Sequence, residues 1–276
     1  MKKILLATVV VFLSVGVLVM ALGNSEPAPQ TKLLQIAEPL WIPILVYHHI
    51  GPAPKNATSA TKSFFIEAPW FEKHLQYLQE NNFQTISFAD VAAYFENGTP
   101  LPLNKGKRPV IINFDDAYKS VFAAAFPLLT KYHMTATIFV PANLVGHRAY
   151  LTWDQLRELQ IENIEIGAHS LWHPYLTRSK KAREEIFESK KLLEEKFGIP
   201  IETFAYPFGD YDDRIVQLVQ EAGYSLARTF STGNGISREN RFKIPVVRVY
   251  ANVGLERWKN QLYPPTPAQH TPLSPY

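Results

Sequence analysis

Val110–Ser120 reads VIINFDDAYKS. Val110–Phe114 is β-prone and mostly apolar, and it ends in two adjacent carboxylates, Asp115 and Asp116. Like charges that close oppose each other's ionisation. Burial at the end of a core strand raises the cost further. Something elsewhere in the chain must compensate.

Outward from this stretch, strand and helix signals alternate. Strand candidates are residues 42–50 (IPILVYHHI), 83–87 (FQTIS), 109–114 (PVIINF), 135–140 (TATIFV), 164–169 (IEIGAH), 203–209 (TFAYPFG), 224–229 (YSLART) and 244–250 (IPVVRVY). Helix candidates lie between them. Phe71, Leu75 and Leu78 have helical spacing, and Gly98 and Gly198 are helix stops. Pro127 predicts a kink in residues 118–133. Thr152 and Gln155 have capping-box spacing. Seven or so strands separated by helices predict a parallel sheet or an α/β barrel. In such barrels chemistry gathers where the strands end. The polar oddities sit there: His48 and His49, Asp115 and Asp116, His169, and Tyr206-Pro207-Phe208.

The bulk properties narrow the function. The chain has 276 residues, 46% of them hydrophobic, enough for one large domain. A net charge of +3 from 28 basic and 25 acidic residues gives no argument for nucleic acid. Cysteine is absent, so any metal must be held by His, Asp or Glu. Lys2 and Lys3 precede an uncharged apolar run to Gly23, which reads as an export signal or a retained inner-membrane anchor. Either leaves the body outside the cytoplasmic membrane, because the lysines stay inside. Residues 24–40 read as a linker, 41–262 as one domain and 263–276 as a proline-rich tail.

His169 and His173, in HSLWH, are spaced i,i+4. On a helical turn both rings would share a face. Two imidazoles and one carboxylate make a common divalent-metal set, and Asp115 or Asp116 can supply the carboxylate. One carboxylate would bind metal while its neighbour stays free as a base. The cation would offset the repulsion between them.

NFDDAY, HSLWH and FAYPFG, in this order, resemble the motifs of the polysaccharide deacetylase family with its NodB-like domain, over residues 42–260. The resemblance implies a distorted (β/α)7 barrel and metal-dependent removal of acetyl groups from N-acetylated sugars or, less often, of O-acetyl groups. It makes Asp115 the general base and Asp116, His169 and His173 the ligands of a metal, Zn²⁺ by family habit. That metal would polarise the acetyl carbonyl and acidify water. Phe208 would give an oxyanion-hole N–H beside Tyr206. The usual C-terminal Leu-x-His acid is missing. The early YHH, Tyr47 to His49, resembles instead the circularly permuted poly-N-acetylglucosamine deacetylases and makes His48 the acid. His49 would point the other way on a regular strand.

Two departures stand out. Ala117 replaces the usual glycine, costly if φ is positive there, so a shifted backbone is expected. The arginine that orients the base would fall at Ala205, and Arg248 is the candidate substitute. Trp153 and Trp172 are either sugar-stacking or core residues. The expected function is de-N-acetylation of a β-linked N-acetylglucosamine polymer. An O-acetyl esterase and a non-catalytic glycan-binding protein are the alternatives.

Overall fold

The structure, a computed structural model, describes residues 39–264. The expected signal or anchor (1–23), the linker up to residue 38 and the tail beyond residue 264 lie outside the described residues. Among the described residues no helix is long and apolar enough to cross a membrane.

Seven parallel strands close into a barrel: β1 (Ile44–Tyr47), β2 (Arg108–Phe114), β3 (Thr137–Val140), β4 (Glu165–Ala168), β5 (Thr203–Ala205), β6 (Leu226–Thr232) and β7 (Ile244–Arg248). Their order around the barrel is β1-β7-β6-β5-β4-β3-β2, and β2 pairs back onto β1. The fold is the expected distorted (β/α)7 barrel. One expected strand has a lesser place. Phe83–Thr85 pairs only with the start of β2, Arg108–Val110, while β1 takes Ile111–Phe114. It meets only the start of β2, and the barrel closes where the rest of β2 pairs with β1.

The main helices are α1 (Ala68–Glu80), α2 (Phe88–Asn97), α3 (Phe126–Lys131), α4 (Trp153–Ile161), α5 (Ala182–Phe197), α6 (Asp213–Glu221) and α7 (Leu255–Asn260). Strands buried on both faces alternate between two apolar clusters. Leu45, Tyr47, Ile112 and Phe114 pack with Phe71, Leu75 and Leu78 of α1. Ile44, Val46, Ile111 and Phe139 pack with Phe88, Val91 and Phe95 of α2. Each such side chain contributes about 1.5–3 kcal/mol of burial.

Local signals hold where the caps are local. Thr152 and Gln155 exchange both capping-box hydrogen bonds. Gly98 and Gly198 end α2 and α5 at φ 69° and 68°. The Pro127 kink takes the form of a π-turn: Phe126 N–H donates to the Val121 carbonyl, five residues back. The widened turn accommodates a residue that lacks an N–H and would crowd the preceding turn. The first turn of α2 is held from a distance. The Glu165 carboxylate accepts from Phe88 N–H and Ala89 N–H at 2.9 and 3.0 Å.

Residues at both edges of the expected domain make contacts with it. Leu40 and Trp41, read as linker and boundary, pair antiparallel with Ile236 and Gly235. Tyr263, read as the first tail residue, packs on Phe83 and meets the Tyr77 hydroxyl at 3.1 Å.

Candidate active site

Parallel register brings the strand ends together. Val46 pairs with Asn113 and Tyr47 with Phe114, so His48 and Asp115 each follow a paired strand end. Asp115 N–H donates to the Tyr47 carbonyl at 2.9 Å, locking this alignment. His169 follows β4 and donates its N–H to Val140. The strand ends surround a cavity of about 550 Å³ lined by His48, Asp115, Asp116, His169, His173 and Phe208, among others.

The two adjacent carboxylates have different partners. Asp116 Oδ1 lies 3.4 Å from His173 Nε2 and 3.8 Å from His169 Nε2, and the two imidazole nitrogens are 3.1 Å apart. Three possible ligand atoms thus fall within 4.8 Å of one another. His169 Nδ1 donates to the Ala205 carbonyl at 2.7 Å. That bond fixes the tautomer and leaves Nε2 as a lone-pair donor toward Asp116. Burial holds His169 well below the usual histidine range, so the ring is neutral and able to ligate. This donor set fits a divalent cation.

Asp115 faces away from that cluster, toward Arg228 and His48. The buried Arg228 guanidinium forms a hydrogen-bonded ion pair with Asp115 Oδ1. His48 Nε2 lies 3.8 Å from Asp115 Oδ2. Burial raises the carboxyl above the usual range, and the Arg228 charge opposes that rise. Asp116 is likewise raised by burial, against the pull of His173. Burial lowers His48 to about 4. Its ring packs against Phe64 at 4.6 Å. His49 is sandwiched between Phe65 and Tyr118 at 3.9 and 3.8 Å, which commits it to stacking.

Several expectations are corrected. Arg248 does not reach the base. It bonds Thr232 and lies over Phe230 and Tyr250. Arg228 takes that place, and its register partner on β5 is Ala205, where the family's arginine would stand. The cation has moved one strand sideways at the same level of the barrel. Tyr206 has no free side chain for substrate. Its ring is fully buried and its hydroxyl donates to the Phe242 carbonyl at 3.0 Å. HSLWH is not a helical turn. Ser170 and His173 take φ of 63° and 57°, and this irregular loop makes the two rings converge. The backbone at Ala117 is not displaced into an ordinary region. It keeps φ at 54°, with its carbonyl accepting from Leu151 N–H at 2.8 Å.

Among the described residues eight non-glycine positions have positive φ, and Asp116, Ala117, Ser170, His173 and Phe208 lie in or beside this cavity. Each left-handed residue with a Cβ costs about 1–2 kcal/mol. Strain gathered at one site is characteristic of functional geometry. Phe208, at φ 58°, stacks on Tyr175 at 4.0 Å and touches the His173 ring at 4.4 Å. Its N–H has no hydrogen-bond partner among the described residues. Trp153 packs against Phe197 of α5, whereas Trp172 is exposed at the loop carrying His173.

The irregular loop has its own anchor. Glu185, buried on α5, accepts from both Leu171 N–H and Trp172 N–H at 2.9 Å. Nothing local in the sequence distinguishes it from the other acids of that helix. Arg228 left a clearer trace: a lone cation inside the strand YSLART, where burial demands a partner. Replacing Glu185 by Ala should free the loop and lower divalent-cation affinity about 10–100-fold. Equilibrium dialysis against Zn²⁺ measures this, and unchanged affinity would remove Glu185 from the site's support.

Comparison with known proteins finds chains similar in sequence and fold. Residues 103–227 match the family model described as polysaccharide deacetylase. A Bacillus subtilis protein whose name places it among the polysaccharide deacetylases, YxkH, is 29% identical over 222 residues, 78% of this chain and 74% of its own. A Staphylococcus aureus poly-beta-1,6-N-acetyl-D-glucosamine N-deacetylase is 22% identical over 212 residues, 70% of this chain and 71% of its own. The Streptococcus pyogenes deacetylase PplD, solved in complex with acetate, is 27% identical with a TM-score of 0.73. That match covers 82% of this chain and 100% of PplD.

Proposed function

The chain belongs to the polysaccharide deacetylase family, and on that premise we propose that it removes N-acetyl groups from a β-linked N-acetylglucosamine polymer with the aid of a divalent metal. The observation that carries this reading is the division of partners between the adjacent carboxylates. Asp116 faces two imidazoles, and Asp115 faces a guanidinium and a third imidazole.

Asp116, His169 and His173 would hold the cation, and their nitrogen and oxygen atoms suit Zn²⁺. When bound, it supplies Lewis acidity to the acetyl carbonyl. The remaining work falls to the chain's own groups. Arg228 favours the ionised form of Asp115, which takes a proton from the attacking water. The water oxygen bonds to the carbonyl carbon, and the Phe208 N–H donates to the oxygen that gains charge. The C–N bond then breaks, and the leaving nitrogen needs a proton. His48 is neutral at pH 7 in the free protein, so it must first gain one. Asp115 is 3.8 Å away and can pass on the proton it has taken, through His48 to the amine. The products are acetate and a free amino sugar.

The polymer assignment draws support from the named activity of the Staphylococcus aureus relative. The Lys2-Lys3 pair and the apolar run after it support action outside the cytoplasmic membrane, free or anchored. Acetate release from poly-N-acetylglucosamine, chitooligomers, peptidoglycan and acetylated xylan, with and without chelator, tests the reading. Release from N-acetylated polymers should stop with chelator and return with Zn²⁺. Release confined to acetylated xylan would replace it with ester hydrolysis.

A further inference from the structure

A second cavity adjoins the first. It encloses about 420 Å³, and Phe65 lines both. The segment between them, Ser59–Ile66, turns Thr61 and Phe64 toward the reaction site and Lys62 and Ile66 toward the second space. Tyr250, which also lines the second cavity, packs edge-on against Phe64, which packs against His48. The reaction described above uses nothing in this second cavity.

Its chemistry is that of a site rather than a packing defect. His74 lines it while only 4% exposed. Its Nδ1 is hydrogen-bonded to the Tyr47 hydroxyl at 3.0 Å, and its ring is stacked on Trp258 at 4.0 Å. Its Nε2 has no partner among the described residues. A ligand hydroxyl can hydrogen-bond this free ring nitrogen. Trp70, 45% exposed, also lines the cavity, with Lys73 held over its ring 4.4 Å from the centroid. Glu67 and Lys62 add an acceptor and a donor. An exposed indole, an imidazole nitrogen free to hydrogen-bond and charged groups at the wall together match a pyranose, which has apolar ring faces and equatorial hydroxyls.

We propose that this cavity binds a further sugar ring of the polymer whose acetyl group lies in the first cavity. The proposal rests on the polysaccharide reading and makes chain length the variable that matters. A hexamer has more rings than a dimer with which to engage both cavities at once. Linking two binding events in one molecule strengthens the longer ligand without new contacts in the first cavity.

The test uses titration calorimetry of dimers and hexamers of N-acetylglucosamine, β-1,4- and β-1,6-linked, beside acetate release from the same oligomers. The native chain should bind at least one hexamer about tenfold more tightly than its dimer. Trp70→Ala should remove that preference, as the loss of one aromatic stacking contact predicts, and Trp70→Phe should keep most of it. Equal binding of hexamer and dimer, or a preference that survives Trp70→Ala, would overturn the second site. Length-dependent binding without acetate release would leave the second site standing and sink the proposed reaction. No binding of any oligomer would overturn both.

Discussion

Asp115→Asn should lower acetate release about 10²–10⁴-fold, the range that loss of a general base commonly costs. The amide matches the carboxylate in shape but cannot take the proton. Divalent-cation binding should survive, because Asp116, His169 and His173 form the cluster and Asp115 faces Arg228. Asp116→Asn should show the opposite order, with cation binding lost first and activity with it. Zn²⁺ titration and turnover on the same preparations separate the two. Activity per folded molecule is the relevant measure, since Asp115→Asn leaves the Arg228 charge buried without its partner. Residual activity near that of the native chain would exclude Asp115 as base and return that role to another group in the cavity.

Arg228→Met should be the most destabilising single change at the site. The native guanidinium is 1% exposed, pairs with Asp115 and lies over the Phe139 ring. Methionine fills comparable space but leaves a buried carboxylate uncompensated, a loss of about 3–5 kcal/mol when one partner of a buried pair is removed. The sign of the pH dependence follows from Asp115. Burial already raises its pKa, and Arg228 opposes the rise. Without Arg228 the folded-state pKa climbs further. A carboxyl raised in the folded state favours folding below its unfolded pKa of about 4 and loses that contribution as pH rises through the folded value. The deficit in Arg228→Met should therefore be small in acid and widen from about pH 4 upward. The acid limb of kcat/KM should move to higher pH for the same reason. Arg228→Lys should rescue only partly, because a single ammonium cannot reproduce the guanidinium fork. Chemical denaturation at several pH values measures the first effect and pH-rate profiles the second. A deficit independent of pH would mean that Arg228 acts by packing alone.

The sequence by itself determined where chemistry would lie, because the relevant signals are local. Alternating strands and helices imply a parallel barrel, and a parallel barrel puts strand-end residues at one face. His48, Asp115, Asp116, His169 and Phe208 could be read that way, each from its own short segment. The capping box at Thr152 and the glycine ends of α2 and α5 are likewise set by neighbours a few residues apart.

Pairing across the barrel was decided by tertiary structure alone. Arg228 and Arg248 are each a lone cation on a strand, so the local sequence does not say which of them meets Asp115. The register that sets Arg228 beside Ala205 carries one guanidinium to Asp115 across 113 positions of sequence, while Arg248 ends beside Thr232. The HSLWH spacing named the right pair of histidines by a helix that does not form. Left-handed residues and the distant Glu185 carboxylate bring the rings together instead. Closure of the barrel delivers the Arg228 charge to one carboxylate of VIINFDDAYKS and sets beside the other two imidazoles with which it could share a cation. Coulombic compensation acts through space, so its need is written in the local sequence and its source is not.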